Sequence, residues 1–149
     1  AIEIESNFVN LIRERASRNG VKVTVIQGDF FDCQALDRQF DAVLFYECFH
    51  HCADHRALIP ILNSIVAPGG AIMFAAEPIS EEFPLPWGLR LDGESLWAIR
   101  RNGWMELGFK ESYFRKLMVD NGWMLRLEVS AETPWGAVFI ASRNNAAPL

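Results

Sequence analysis

Residues 40–76 read FDAVLFYECFHHCADHRALIPILNSIVAPGGAIMFAA. The stretch opens with an apolar run, Phe40 to Tyr46, of the length and β-branched, aromatic character of a buried strand. A polar cluster, Glu47 to His55, follows. From Asp54 to Val66 the apolar residues Leu58, Ile61, Leu62 and Ile65 recur at helical spacing and predict a helix. Pro60 lies inside it, so the helix either bends there or begins near it. Pro68-Gly69-Gly70 reads as a turn, and Ala71 to Ala76 as the next strand. A strand, a helix and a second strand in this order imply a right-handed crossover and parallel pairing.

The same rhythm extends upstream. Ala1 to Glu5 alternates and reads as the end of a strand. Ser6 or Asn7 is placed to cap a helix whose apolar face carries Phe8, Leu11, Ile12 and Ala16. Asn19-Gly20 stops it. Val21 to Ile26 is rich in β-branched residues and predicts a buried strand, with Gly28 to Asp32 as the following loop. Downstream the rhythm breaks. Residues 77–109 carry Pro78, Pro84, Pro86, Trp87, Trp97 and Trp104, with a helix predicted over Gly93 to Arg101. Lys110 to Asp120 reads as a helix closed by Asn121-Gly122. Trp123 to Val129 and Gly136 to Ser142 read as antiparallel neighbours joined by a Thr133-Pro134 turn, and Asn144 to Leu149 as a frayed tail.

Size and charge narrow the function. With 149 residues, half of them apolar, the chain has the length and composition of one globular domain. A net charge of -5 argues against a general polyanion-binding surface. The pair Arg100-Arg101 is too short for a nucleic-acid track, so no nucleic-acid partner is expected. No apolar run reaches membrane-spanning length and no secretory leader is visible, so no membrane partner is expected either. Three cysteines without a framework spacing fit a reducing, cytoplasmic setting.

In open parallel sheets, ligands bind beyond the carboxyl ends of the strands. That rule selects three places. Glu3, or next to it Glu5, ends the first strand, where a carboxylate can accept from both hydroxyls of a ribose; the bland alternative is a solvated strand-end acid. Asp29 can accept from an exocyclic adenine amine while Phe30 stacks on the base, or the two are a turn aspartate and a core ring. Tyr46 to His55 is the densest polar cluster. His50 and His51 can orient or deprotonate a substrate hydroxyl near neutral pH, or only pack at the helix start. Cys48 and Cys52 are also zinc-type ligands, but specific zinc signatures use two separated pairs, and no second pair follows. No metal is therefore expected.

In this order these segments resemble the class I S-adenosylmethionine-dependent methyltransferase family. The residues that carry the resemblance are Ala-Ile-Glu-Ile at 1–4, Gly-Asp-Phe at 28–30, Phe-Asp-Ala-Val-Leu at 40–44, Phe-His-His at 49–51 and Ala-Pro-Gly-Gly-Ala-Ile at 67–72. The match runs from Ala1 to about Ala76, and Lys110 to Arg143 agree in layout. The resemblance implies an α/β, Rossmann-like, three-layer αβα domain, its sheet mostly parallel with an antiparallel C-terminal strand pair. Residues 1–149 would form a single partial domain, with 77–109 as a substrate-covering insertion. The implied cofactor is S-adenosylmethionine, with Glu3 on the ribose, Asp29 and Phe30 flanking the adenine, and Tyr46 and Glu47 near the methionine moiety. His50 and His51 would serve the methyl acceptor, a small molecule, and Trp87 and Trp97 would wall its pocket.

The family's first strand and glycine-rich loop would precede the segment matched by Ala1. In the family that strand lies centrally, between the second and the fourth. Three readings follow: a piece of a longer protein, which is the expectation; a homodimer that pairs exposed strand edges; or a sheet in which the second strand pairs directly to the fourth. Methyl transfer is expected once the glycine-rich segment is supplied and is expected to be impaired in residues 1–149 alone. The alternative is a non-catalytic domain of this fold acting in oligomerisation or partner binding.

Overall fold

The computed structural model describes residues 1–130, 132 and 136–143. The chain divides into two compact units, residues 1–38 and 39–149. The predicted turn at Thr133-Pro134 and the tail from Asn144 lie outside the described residues.

The first unit holds β1 (Ile2–Glu3), α1 (Ser6–Arg18) and β2 (Ile26–Gln27). β1 and β2 run parallel, with Ile2 opposite Ile26 and Glu3 opposite Gln27. The expected strand over Val21 to Ile26 is therefore corrected: only Ile26 pairs, and Val21 and Val23 are exposed. A ladder extends only as far as its partner, and β1 has two residues to offer. The expected cap is corrected as well. Ser6 is the first helical residue, Glu5 holds the cap position, and no side chain caps there. The buried residue of α1 is Val9, while Phe8 and Leu11 are exposed. Helix α1 ends as expected, with Gly20 at φ +63°, a conformation that suits glycine.

The second unit contains β3 (Phe40–Tyr46), α2 (His55–Ile65), β4 (Val66–Ala75), β5 (Trp87–Leu89), α3 (Gly93–Asn102), β6 (Leu107–Phe109), α4 (Glu111–Asp120), β7 (Trp123–Val129) and β8 (Ala137–Arg143). A four-stranded mixed sheet has the order β3-β4-β8-β7. β3 and β4 are parallel, and β8 is antiparallel to both β4 and β7. The α/β class and the antiparallel C-terminal pair are as expected. Within residues 77–109, β5 and β6 form an antiparallel ribbon with α3 between them in sequence.

α2 runs from His55 to Ile65, as expected, with Pro60 inside it. Two details differ from expectation in this unit. β4 begins at Val66, before the Pro-Gly-Gly turn. Phe40 pairs with Val66 and Ala42 with Ala71, so Pro68-Gly69-Gly70 loops out of a continuing ladder. Gly69 takes φ +80°, and a Cβ on Gly70 would sit 2.7 Å from the Asp41 carbonyl oxygen. Finally, β3 is an edge strand of its sheet and leaves Leu44 and Tyr46 exposed rather than buried. A strand in the middle of a parallel sheet would be covered on both sides.

The core of this unit is aromatic. Phe49, 0% exposed, sits among Phe74 (centroids 4.9 Å apart), Phe45 (5.4 Å), Phe109 (5.5 Å) and Phe114 (5.7 Å). Most of these pairs are edge-on or tilted, the arrangement the ring quadrupole favours. Burying Phe49 fixes the short 3-10 turn Phe49–His51 against the sheet and thereby sets where the next two side chains go.

Candidate functional site

The parallel strands β3 and β4 end side by side, with Tyr46 opposite Ala75. The next residue of each, Glu47 (φ 46°) and Ala76 (φ 55°), is left-handed, a conformation that costs a non-glycine residue about 1–3 kcal/mol. These two turns redirect the chain. One leads into the Cys48 to His51 loop and the other delivers Glu77 beneath it.

Glu77 is the centre of the arrangement, its side chain 0% exposed. Its Oε1 accepts from the backbone N–H of Cys48 and of Phe49, both at 2.9 Å. Its Oε2 accepts from the backbone N–H of His50 at 3.1 Å and lies 2.8 Å from His50 Nδ1. A buried carboxylate needs this density of donors. Because ionised Glu77 can only accept, His50 Nδ1 carries the proton of that bond. The neutral ring therefore turns its lone pair outward on Nε2.

Past His50 the site is again acidic. Glu106, also buried, places Oε2 3.5 Å from His50 Nε2 and 3.8 Å from Arg90 Nη1. His51 Nδ1 lies 2.6 Å from the carbonyl oxygen of Met105 and 3.8 Å from Glu106 Oε1. The His51 ring rests 4.1 Å from the His50 ring and 5.5 Å from that of Trp104. These groups open onto a cavity of about 740 Å³, whose walls include Glu47, Arg90, Trp97 and Trp104. Asp92 caps α3, which carries Trp97, by accepting from Ser95 N–H at 2.9 Å. That backbone bond holds its carboxyl below the usual range.

The structure gathers Glu47, His50, His51 and Trp97 of the sequence candidates around this cavity. Tyr46 ends β3 exposed and is not among the lining residues. Trp87 also lies apart from the lining, its ring 4.9 Å from that of His55. In the first unit, Glu3 ends β1 and its Oε1 accepts from Glu5 N–H at 2.8 Å. Asp29 follows β2 and caps the 3-10 turn Phe30–Ala35 through Phe31 N–H at 2.7 Å, with Asp32 returning a bond to Asp29 N–H. Phe30 opens that turn half-buried. His55, from the same stretch, lies apart from His50 and His51: it is fully buried with Nε2 2.9 Å from the Tyr113 hydroxyl, and no disulfide joins Cys33, Cys48 and Cys52.

Sequence reasoning missed Glu77, Glu106 and Arg90. For Glu77 a signal existed, since an acidic residue just past a predicted parallel strand obeys the rule that selected Glu3. Glu106 and Arg90 stand at the ends of the β5–β6 ribbon, whose pairing no periodicity announces.

A family model described as a methyltransferase domain matches residues 1–74. An O-methyltransferase family protein from Burkholderia thailandensis shares the fold with a TM-score of 0.64 at 12% identity, over 98% of this chain and 43% of that one. DhpI, solved in complex with SAH, gives 0.65 at 22% identity, over 97% of this chain and 65% of its own. Magnesium protoporphyrin IX methyltransferase from Synechocystis, with bound SAH, gives 0.60 at 17% identity, over 96% and 63%. The chain thus spans 43 to 65% of the length of these three proteins. At such identities the likeness is one of fold.

Proposed function

We propose that this chain, whose residues 1–74 match a methyltransferase-domain model and whose Rossmann-like fold is shared by methyltransferases solved with SAH, serves S-adenosylmethionine-dependent methyl transfer to a small-molecule acceptor. The observation that carries the reading is the polar cavity into which His50, its tautomer set by Glu77, turns Nε2.

S-adenosylmethionine, when bound, supplies a methyl group on a sulfonium. The donor chemistry fits it. Glu3 would hold the ribose, since the bond from Glu5 N–H engages one oxygen of a group that accepts at two. Asp29 and Phe30 would take the adenine, and Tyr46 and Glu47 the methionine moiety. On the acceptor side, His50 Nε2 receives the hydroxyl proton, and Glu77 and Glu106 stabilise the imidazolium that forms. His51 is the alternative base. Trp97, with Trp104, offers the acceptor an aromatic wall, and residues 77–109 cover it. Trp87, packed on His55, would touch the acceptor only from outside this cavity.

Cofactor uptake by residues 1–149 alone is proposed to be impaired, because no Gly-x-Gly turn occurs in the sequence to cradle it. Cysteines outside any disulfide fit the cytoplasm. No helix among the described residues is long and apolar enough to cross a membrane. A second reading, a non-catalytic domain that assembles as a homodimer, is favoured by the exposed Leu44 and Tyr46 on edge strand β3.

Calorimetric titration with S-adenosylhomocysteine tests the first reading, on residues 1–149 and on the longest natural chain containing them. Saturable heat from the longer chain, weaker from the shorter, is the expected result. No heat and no thermal shift at millimolar ligand from either would overturn it. A stable dimer without ligand uptake would establish the second reading instead.

A further inference from the structure

We propose that His50, His51 and Glu106 form a binding site for a divalent first-row transition cation, zinc being the representative. One donor atom from each of the three, a ring nitrogen or a carboxylate oxygen, lies within 4.8 Å of the other two. His50 Nε2 and Glu106 Oε2, at 3.5 Å, already have the separation that two ligands at about 2.0–2.1 Å take on a tetrahedral ion.

The hydrogen bonds behind the rings carry the argument further. Histidines that bind a metal hold the opposite ring N–H on a carboxylate or a backbone carbonyl, which fixes the tautomer and raises the basicity of the ligating nitrogen. Both forms occur here. His50 Nδ1 donates to the buried carboxylate of Glu77. His51 Nδ1 donates to the carbonyl of Met105, an atom that can only accept. Each neutral ring is thereby left with its lone pair on Nε2. The His51 ring is 27% exposed.

Charge and donor type agree. Glu106 and Glu77 bring two negative charges to His50, countered by Arg90, whose Nη1 stands 3.8 Å from Glu106, longer than a hydrogen bond. Two imidazoles and one carboxylate suit zinc, iron, cobalt or nickel rather than magnesium or calcium, which take oxygen ligands. The adjoining cavity leaves coordination positions open, as at catalytic rather than structural sites.

The inference rests on the methyl-transfer reading only for the use of the ion. An acceptor hydroxyl bound to the cation has its pKa lowered, so its O–H bond breaks and the proton passes to water. In the metal-free form His50 Nε2 takes that proton instead.

Titration of the chelator-treated full chain with cobalt(II), followed by visible absorption, tests the site. Saturation at one equivalent, displacement by zinc, and at least tenfold weaker binding in His51→Gln and in Glu106→Gln are expected. Glu77→Gln, which removes the support of His50, weakens binding about 10- to 100-fold. Cys48→Ser binds as the parent does. Should Glu106→Gln fail to fold by circular dichroism, His51→Gln, on the more exposed ring, decides alone. Absence of a saturable cobalt spectrum, binding that survives His51→Gln, or binding lost in Cys48→Ser would each overturn the site. The titration uses no S-adenosylmethionine, so failure of the methyl-transfer reading leaves its outcome readable.

Discussion

Glu77 binds His50 twice, through the backbone N–H and through ring Nδ1, with the same carboxylate oxygen. The residue that shapes the loop is thus also the one that orients the imidazole, so loop geometry and ring tautomer are coupled at a single side chain.

That coupling predicts a graded response. In Glu77→Gln the amide nitrogen must face N–H donors, which leaves buried groups unsatisfied at a cost of about 1–3 kcal/mol. Thermal or urea unfolding should show this loss. In a methyl-transfer assay, His50→Gln should lower kcat about 10²- to 10⁴-fold, the range of a lost general base, with a smaller change in KM. An unchanged kcat in His50→Gln would remove His50 from the base role.

Phe49 anchors the same loop from below. Phe49→Ala empties the centre of a six-ring neighbourhood that includes Phe45, Phe74, Phe109, Phe114 and His55. A loss of about 3–5 kcal/mol is expected by chemical denaturation, with Phe49→Leu losing less because it refills most of the volume.

The contrast between Phe49 and His50 marks what could be read in the sequence. Helices α2, α3 and α4 and strands β3, β7 and β8 follow local periodicity and turn signals, and their positions were legible within a few residues. The short β2 was overread because β-branched residues report a preference for extended chain, whereas pairing requires a partner of matching length. The histidines were legible as a cluster. Their electrostatics were not, because the carboxylates that define them, Glu77 and Glu106, come from 27 and more residues downstream, joined only by tertiary packing.

The Pro68-Gly69-Gly70 excursion gives a steric prediction. A Cβ at Gly70 would meet the Asp41 carbonyl at 2.7 Å and Val66 Cγ1 at 2.8 Å. Neither is the free end of a flexible chain, so the β3–β4 ladder must shift. Gly70→Ala should destabilise by about 1–3 kcal/mol. At Gly93, where nothing lies within 4 Å, alanine should be tolerated by the same denaturation measurement.

His55 gives a prediction in pH. It is 0% exposed, with the Tyr113 hydroxyl at Nε2 and the rings of Trp87 and Phe109 around it. Burial pushes its pKa below the ordinary 6.5, and the charge of Arg56 acts in the same direction; the backbone of Ala53 and Cys52 and the charge of Asp54 oppose. Because the folded pKa is the lower one, the unfolded chain binds the proton more readily between the two values. Stability therefore rises with pH through that window and is lost as pH falls below about 6.5. Melting temperatures of the parent and of His55→Phe, measured from pH 7.5 down to pH 5, isolate the effect, since other titrating groups contribute to both proteins. The parent should lose more stability than the variant on acidification. A difference between the two that stays constant across the range would show that His55 does not couple protonation to folding.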